Sequence, residues 1–550
     1  MLVGMGATFE APGPGRWSLD RSHFPGGTTP IVQALMREAM PAGMERVFAE
    51  IGAPIRRIDT EFVHGFQYTR VRPLIGGDRT VTKLPPLPLL KLASRIHPEF
   101  RQRRERARAL LRDKPFLDVV TEWNEEIRPR LRSVNRSFQD VDLGALTDDD
   151  LGDHLDRLRE HCRQQLELHF WLHGHDIGPI ARLLYESERW GLDPKEVTGA
   201  LVGASPSTAR PAVLLAEIRQ LVDAAGAEVR SLTDVRRCSP AAAALLDEYL
   251  AERGQMLATG YDITSFTLGE LPGTIVSCIL HATPPEASDA DAAAQHLRGR
   301  VPAAERSTFD EYLSDARAVM DMRDDNGPLT AEWPLGLLRL ALLEAGRRLV
   351  VSGGLVDAEH ALGLTPDEAR RLFDELPPAA VIARREAERL EASQLDPPPA
   401  LGPVEPEPPL DVLPDPLPQL VGMVQTALHH MGMDGQVAPD PLVGVGVGTT
   451  SYTGVVRTAA SADEAIEKLE PGDVLVVRAT SPAFNAVIAI AGAVVTSSGG
   501  AMSHAAVLAR ELGIPAIVGA AGALSMPDGA TVEVDPVAGR VTVVDAATIS

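Results

Sequence analysis

The stretch VVTSSGGAMSHAAVLARELGIPAIVG, residues 494–519, decides the fold of the C-terminal part of this chain. A β-rich run ends at Thr496, two glycines follow, and Ser503-His504 opens a helix whose apolar positions Ala505, Val507, Leu508 and Leu512 suit packing on a sheet. Gly499 and Gly500 remove side chains where the backbone turns and leave room for a ligand to approach. Gly513 with Pro515 two residues on is a C-terminal helix stop. His504 is therefore expected in the first turn of a helix, after a glycine turn. Free amides and the positive end of the helix dipole stabilise a phosphate dianion at such a place by about 0.3–2 kcal/mol. The same field lowers the pKa of an imidazole and keeps a ring nitrogen unprotonated and nucleophilic near neutral pH. A histidine so placed suits the carriage of a phosphoryl group, and on these residues alone a helix-capping or core histidine stands as the alternative.

Working outward, short β-rich pieces (Val474 to Val477, Ala493 to Thr496, Ala516 to Val518, Thr531 to Val534, Arg540 to Val544) alternate with glycines and with helical segments such as SADEAIEKL. This grammar predicts a compact α/β domain of about 110 residues from Gly444 onward, closed by a hairpin that turns at Asp535 to Gly539. Upstream, ten of the 22 residues from Pro397 to Pro418 are proline. Proline locks φ and removes a donor, so the segment is expected to be extended and stiff, with a reach on the order of 60–70 Å. A passive spacer or a strap packed on the surface is the alternative. From about residue 90 to 395 the period is helical, as in DLGDHLDRLREHCRQQLELHFWLHG and PAVLLAEIRQLVDAAGAEV. In the first 85 residues, GPGRWSLDRSHFPGGTTPIVQ reads as an ordered loop entering a helix and TEFVHGFQYTRVRP has partial strand alternation. The expected architecture is multidomain: a large mainly-α domain over 1–395, a Pro-rich linker over 396–420, and an α/β domain over 421–550.

With 550 residues, 44% of them apolar and 23% charged, the chain has ordinary globular usage and ample core. A net charge of -23 repels nucleic-acid backbones and anionic lipid, and the 4% aromatic content argues against stacked-base readers. Cys162, Cys238 and Cys278 have neither CxxC nor CxxH spacing, so no disulfide framework or zinc site is expected. No basic region followed by an apolar run opens the sequence, and its longest apolar stretch, Ala486 to Val495, is too short to span a bilayer. The expectation is a soluble, cytoplasmic protein with no membrane partner. The basic run of residues 95–114 reads as a solvated helix face, and HFWLHGHD (169–176) holds three close histidines without an evident fourth metal ligand.

GGAMSHAAVLARELGIPAIVG closely resembles the phosphohistidine signature of the swivelling domain in phosphoenolpyruvate-utilising enzymes, the family of phosphoenolpyruvate synthase, pyruvate phosphate dikinase and rifampin phosphotransferase. The likeness extends through GVGVGTTSYTGVVR (444–457) and PGDVLVVRATSP (471–482). It implies that the C-terminal domain is a swivelling phosphohistidine domain, that His504 is the phosphocarrier, and that Gly499, Gly500 and Ser503 shape its loop. Met502 stands where dikinases have threonine, and Ser497 and Ser498 where an acidic residue often precedes the glycines, which weakens pyruvate as the acceptor.

Fainter likenesses to the acceptor-binding region of rifampin phosphotransferase-like enzymes run through residues 16–33, 62–74, 260–274, 316–327 and 342–373. They imply a largely apolar pocket for a hydroxyl-bearing small molecule, with His23, Tyr68, Arg70, Tyr261, Arg323 and Asp324 as candidates to line it. A surface ion pair for Arg323 and Asp324, and partly buried phenols for the tyrosines, are the alternatives. The sequence shows neither an ATP-grasp pattern nor a GxxxxGK[ST] loop, and no phosphoenolpyruvate-binding barrel is expected after the histidine domain. The resemblance then implies a dikinase-type phosphotransferase component: ATP and Mg²⁺ held by a separate ATP-grasp subunit, His504 as carrier swinging on the proline linker, and a small-molecule hydroxyl as acceptor. A non-catalytic phosphocarrier or regulatory protein, or a degenerate scaffold of the same family, is the alternative.

Overall fold

The computed structural model describes residues 8–20, 24, 27–258, 260–282, 290–432, 440–460, 462–480, 484–488 and 490–545. Its backbone is a helix of 42 residues, Asp148–Arg189, about 63 Å long at 1.5 Å per residue. Thr147 caps this helix by accepting from the Asp150 amide, and three aspartates occupy the first turn, where the helix dipole favours negative charge. Leu151, Leu155, Leu158, Cys162 and Leu166 recur three or four residues apart and are buried. Against this stripe pack the helices Pro30–Ile51, Arg306–Gly327 and Trp333–Ser352, joined in one apolar cluster with Trp123, Phe309 and Trp333. A π-helical turn, Pro328–Glu332, connects the last two helices and is buried at each of its five residues.

The helical body also carries a four-stranded antiparallel sheet in the order β2-β3-β1-β4, from β1 (Trp17–Asp20), β2 (Ile55–Val63), β3 (Phe66–Pro73) and β4 (Ala400–Leu401). The loop expected around Trp17 is thus a strand, and the alternation near Phe66 belongs to a real hairpin.

The Pro-rich segment differs from the free linker expected over 396–420. Ala400 and Leu401 pair with Ser18 and Trp17, Glu405 accepts from the Val81 amide at 2.6 Å, and Ser94 Oγ donates to the Val412 carbonyl at 2.5 Å. Its leucines and valines, not its prolines, decide this: Leu401, Val412 and Leu417 are buried, so the segment lies down as a strap. The expected boundary at 421 falls inside a helix, Leu417–Met431, whose Met423 and Ala427 pack on Ala181 of the long helix. This helix therefore packs with the helical body.

The C-terminal domain is a seven-stranded mixed sheet in the order β11-β10-β6-β7-β8-β9-β5. Its strands are β5 (Val445–Val447), β6 (Tyr452–Ala459), β7 (Val474–Val477), β8 (Ala493–Thr496), β9 (Ala516–Val518), β10 (Thr531–Asp535) and β11 (Arg540–Asp545). β6 to β9 are parallel neighbours, and β10 and β11 form the closing hairpin. β7 and β8 are buried at every residue, as a parallel sheet covered on both faces requires. One cover is the helix His504–Glu511, which shares an apolar cluster with Leu214, Ile218, Ile275 and Ile279 from the helices Pro206–Ala225 and Pro272–His281. The sheet domain is thus docked on the helical body through continuous apolar packing. Among the described residues no helix is long and apolar enough to cross a membrane.

Candidate functional site

The loop after β8 is built around its glycines. Gly499 has φ +119°, a backbone conformation that L side chains rarely adopt, and a Cβ at Gly500 would lie 2.4 Å from the His430 carbonyl oxygen. The close approach lets the Met502 amide donate to that same carbonyl at 2.7 Å, which ties the loop to the end of the helix Leu417–Met431. Ser503 then caps the helix, its hydroxyl accepting from the Ala506 amide, and His504 is the first helical residue. Gly513 (φ +69°) and an Ile514 amide donating to the Ala509 carbonyl close the other end.

His504 faces the helical body, not open water. Its Nδ1 is 3.0 Å from Thr480 Oγ1, in the loop after β7. Burial, and behind it the Arg323 guanidinium, lower its pKa to about 3, so the ring is neutral at physiological pH. Arg323 also donates to the Met502 carbonyl at 3.3 Å and pairs with Asp324 at 3.3 Å. Asp324 in turn accepts from Thr208 Oγ1 at 2.9 Å, and burial raises its carboxyl above the usual range.

A cavity of about 350 Å³ lies between the two parts of the molecule. The C-terminal domain lines it with Thr480, Gly499, Ser503 and His504, and the helical body with Tyr261, Arg323, Asp324 and Glu332 among others. Of the expected pocket residues, the structure therefore brings Tyr261, Arg323 and Asp324 to the histidine. Tyr261 is buried, its ring edge-on to His169 at 5.5 Å, and burial raises its phenol pKa. Gly500 supports the loop from behind, against His430.

Tyr68 and Arg70 do not line this cavity. Tyr68 is buried in the four-stranded sheet, its hydroxyl donating to the Pro398 carbonyl at 2.9 Å, and Arg70 lies beneath the Gly15 turn. Strand alternation puts both side chains on one face of β3, where Tyr68 joins the small core that the strap covers and Arg70 is buried. His23 lies outside the described residues.

Sequence reasoning missed Thr480 and Glu332, and it weighed His169 and His173, whose Nε2 atoms are 3.2 Å apart on one face of the long helix, only as metal ligands. The i, i+4 spacing of that pair was visible, but nothing in the sequence showed which cavity the face lines. Among the described residues no group of three or more His, Cys, Asp or Glu is placed to hold a metal ion.

A mixed sheet thus presents a neutral histidine at the start of a helix, after a glycine loop. Residues 469–539 match the family model described as PEP-utilising enzyme, mobile domain. It is 36% identical over 215 residues to an uncharacterized protein of Mycobacterium tuberculosis, covering 38% of this chain and 22% of the relative. An uncharacterized phosphotransferase, YvkC, of Bacillus subtilis is 28% identical over 243 residues, 44% of this chain and 27% of the relative. A phosphoenolpyruvate synthase of Aeropyrum pernix is 46% identical over 84 residues, 15% of this chain and 10% of the relative. The chain thus matches no more than 27% of the length of these relatives.

Proposed function

We propose that this chain is the carrier and acceptor-binding component of a dikinase-type phosphotransferase. His504 takes a phosphoryl group from ATP bound with Mg²⁺ on a separate ATP-grasp subunit, then passes it to a hydroxyl of a small molecule seated in the cavity. The observation that carries this reading is the position of His504 in the wall of a cavity whose other wall belongs to the helical body.

When Nδ1 holds the ring proton it donates to Thr480 Oγ1, which leaves Nε2 with the lone pair that attacks phosphorus. A group on Nε2 keeps the Nδ1 proton, so the imidazole leaves neutral when the group is passed on. Arg323 beside the ring supplies positive charge where the transferred phosphoryl carries its negative charge, the main requirement of such a transfer. Two positioned displacements replace one encounter of donor and acceptor. In this reading the nucleotide and its Mg²⁺ are held by the partner subunit.

Incubation with the ATP-grasp partner, Mg²⁺ and β-labelled ATP should give acid-labile label on the wild-type chain and none on His504→Ala. Persistence of label in the variant would overturn the site.

A further inference from the structure

Glu332 ends the buried π-helical turn Pro328–Glu332 and lines the cavity that His504 opens into. It is 4% exposed, and its Oε1 is buried with no hydrogen-bond partner. A carboxyl oxygen left without a partner in a well-packed interior carries a desolvation penalty, and an incoming hydroxyl relieves it. The other acidic side chain on this wall, Asp324, is engaged by Arg323 and Thr208, and His169 and His173 by each other, Thr330 and Asp176. A π turn widens the helix and re-aims the side chain that follows, a feature frequent at functional sites.

Resting on the phosphotransferase reading, we propose that Glu332 is the base that takes the proton from the acceptor's hydroxyl as the phosphoryl group leaves His504. In that step the acceptor oxygen forms the bond to phosphorus, the Nε2–P bond breaks with its electron pair returning to Nε2, the ring keeps its Nδ1 proton, and the hydroxyl proton goes to the Glu332 carboxylate. The leaving imidazole cannot serve well as this base, because burial and Arg323 hold its pKa near 3. Glu332 is the opposite case: burial raises its carboxyl to about 8, with Arg253 opposing and Asp325 reinforcing the shift. A base of that strength holds a proton given up by a hydroxyl and still ionises near neutral pH. The groups around it are Arg253 on the helix Pro240–Arg253, Asp325 on the helix Arg306–Gly327 and Tyr261, and His169, His173, Arg323, Asp324 and His504 line the same cavity.

The test uses the full chain and needs neither the partner nor the natural acceptor. His504 is loaded with phosphoramidate, and loss of the acid-labile phosphate to water, methanol and glycerol is followed by phosphorus NMR between pH 6 and 9. In the wild type the rate should rise with pH through about 8, the value to which burial pushes Glu332. In Glu332→Gln it should fall by about 100-fold and lose that pH dependence, while Glu332→Asp should restore part of both. The loading yield and an unchanged melting temperature report an intact fold. Equal loss in wild type and Glu332→Gln, at whatever rate, overturns the assignment of Glu332. Failure of His504 to load in the wild type overturns the carrier reading instead.

Discussion

Arg323 joins the two halves of the site, since it sits on a helix of the helical body, donates to the Met502 carbonyl of the histidine loop and lowers the His504 pKa. Burial is the larger cause and the guanidinium the smaller, which fixes the outcome of removing the charge. In Arg323→Gln the ring should titrate at a higher pH than in the wild type, yet still below an ordinary histidine, because the desolvation remains. A titration of the His504 ring protons by NMR checks this, and an unmoved midpoint would remove Arg323 from the electrostatics of the site. The sign matters for function: a higher pKa means a larger protonated, non-nucleophilic fraction at mildly acidic pH, so labelling of the variant should fail earlier as pH is lowered.

The elements that place His504 are β8, the glycine loop and the helix His504–Glu511, and the helix Leu417–Met431 braces them from the other side. The brace depends on a missing side chain. A methyl group at Gly500 would meet the His430 carbonyl at 2.4 Å, a backbone atom that cannot swing aside. Gly500→Ala should therefore loosen the docked loop by about 1–3 kcal/mol, and the Met502 amide, which donates to that carbonyl at 2.7 Å, should exchange its hydrogen about 5- to 150-fold faster. Unchanged exchange would mean that the loop has room to spare. The loop was legible in the sequence because its signals are local: two glycines, a serine cap, a Gly-x-Pro stop. β7, β8 and β9 were legible as short apolar runs for the same reason. β5 and β6 were not recognised as strands, because Gly446, Gly448 and Gly454 interrupt the apolar pattern; Gly446 is there since a side chain would strike the Pro536 carbonyl of a neighbouring turn. Glu332 was illegible for a different reason. Its role comes from burial beside Arg253 and from a π turn, and neither leaves a spacing signature. Tyr68 and Arg70 show the converse, since an attractive residue type in an ordered segment said nothing about which core the strand faces.

At the scale of the molecule, the proline strap decides how any swing of the C-terminal domain is arranged. The composition promised a stiff arm, but an arm must be free along its length. This segment is fastened at Leu401 to β1, at Glu405 to the Val81 and Arg16 amides, at Asp411 to Lys91, and at Leu417 and Leu420 to the small core around Ala107. The strap and the helix Leu417–Met431 that follows it, which packs on Asp148–Arg189, thus belong to the helical body. Deleting residues 406 to 409 tests the point, because the two models of the segment disagree about which property suffers. If the strap is a fastening, the deletion strains or frees Glu405 and the strand pairing, and the melting temperature should drop by about 2–4 °C for each kcal/mol lost. Partner-dependent labelling of His504 should then stay within about two-fold of wild type, because the deletion leaves the histidine loop and its cavity intact. If the segment is an arm, labelling falls many-fold while stability holds, and that pattern would return the pivot to the prolines.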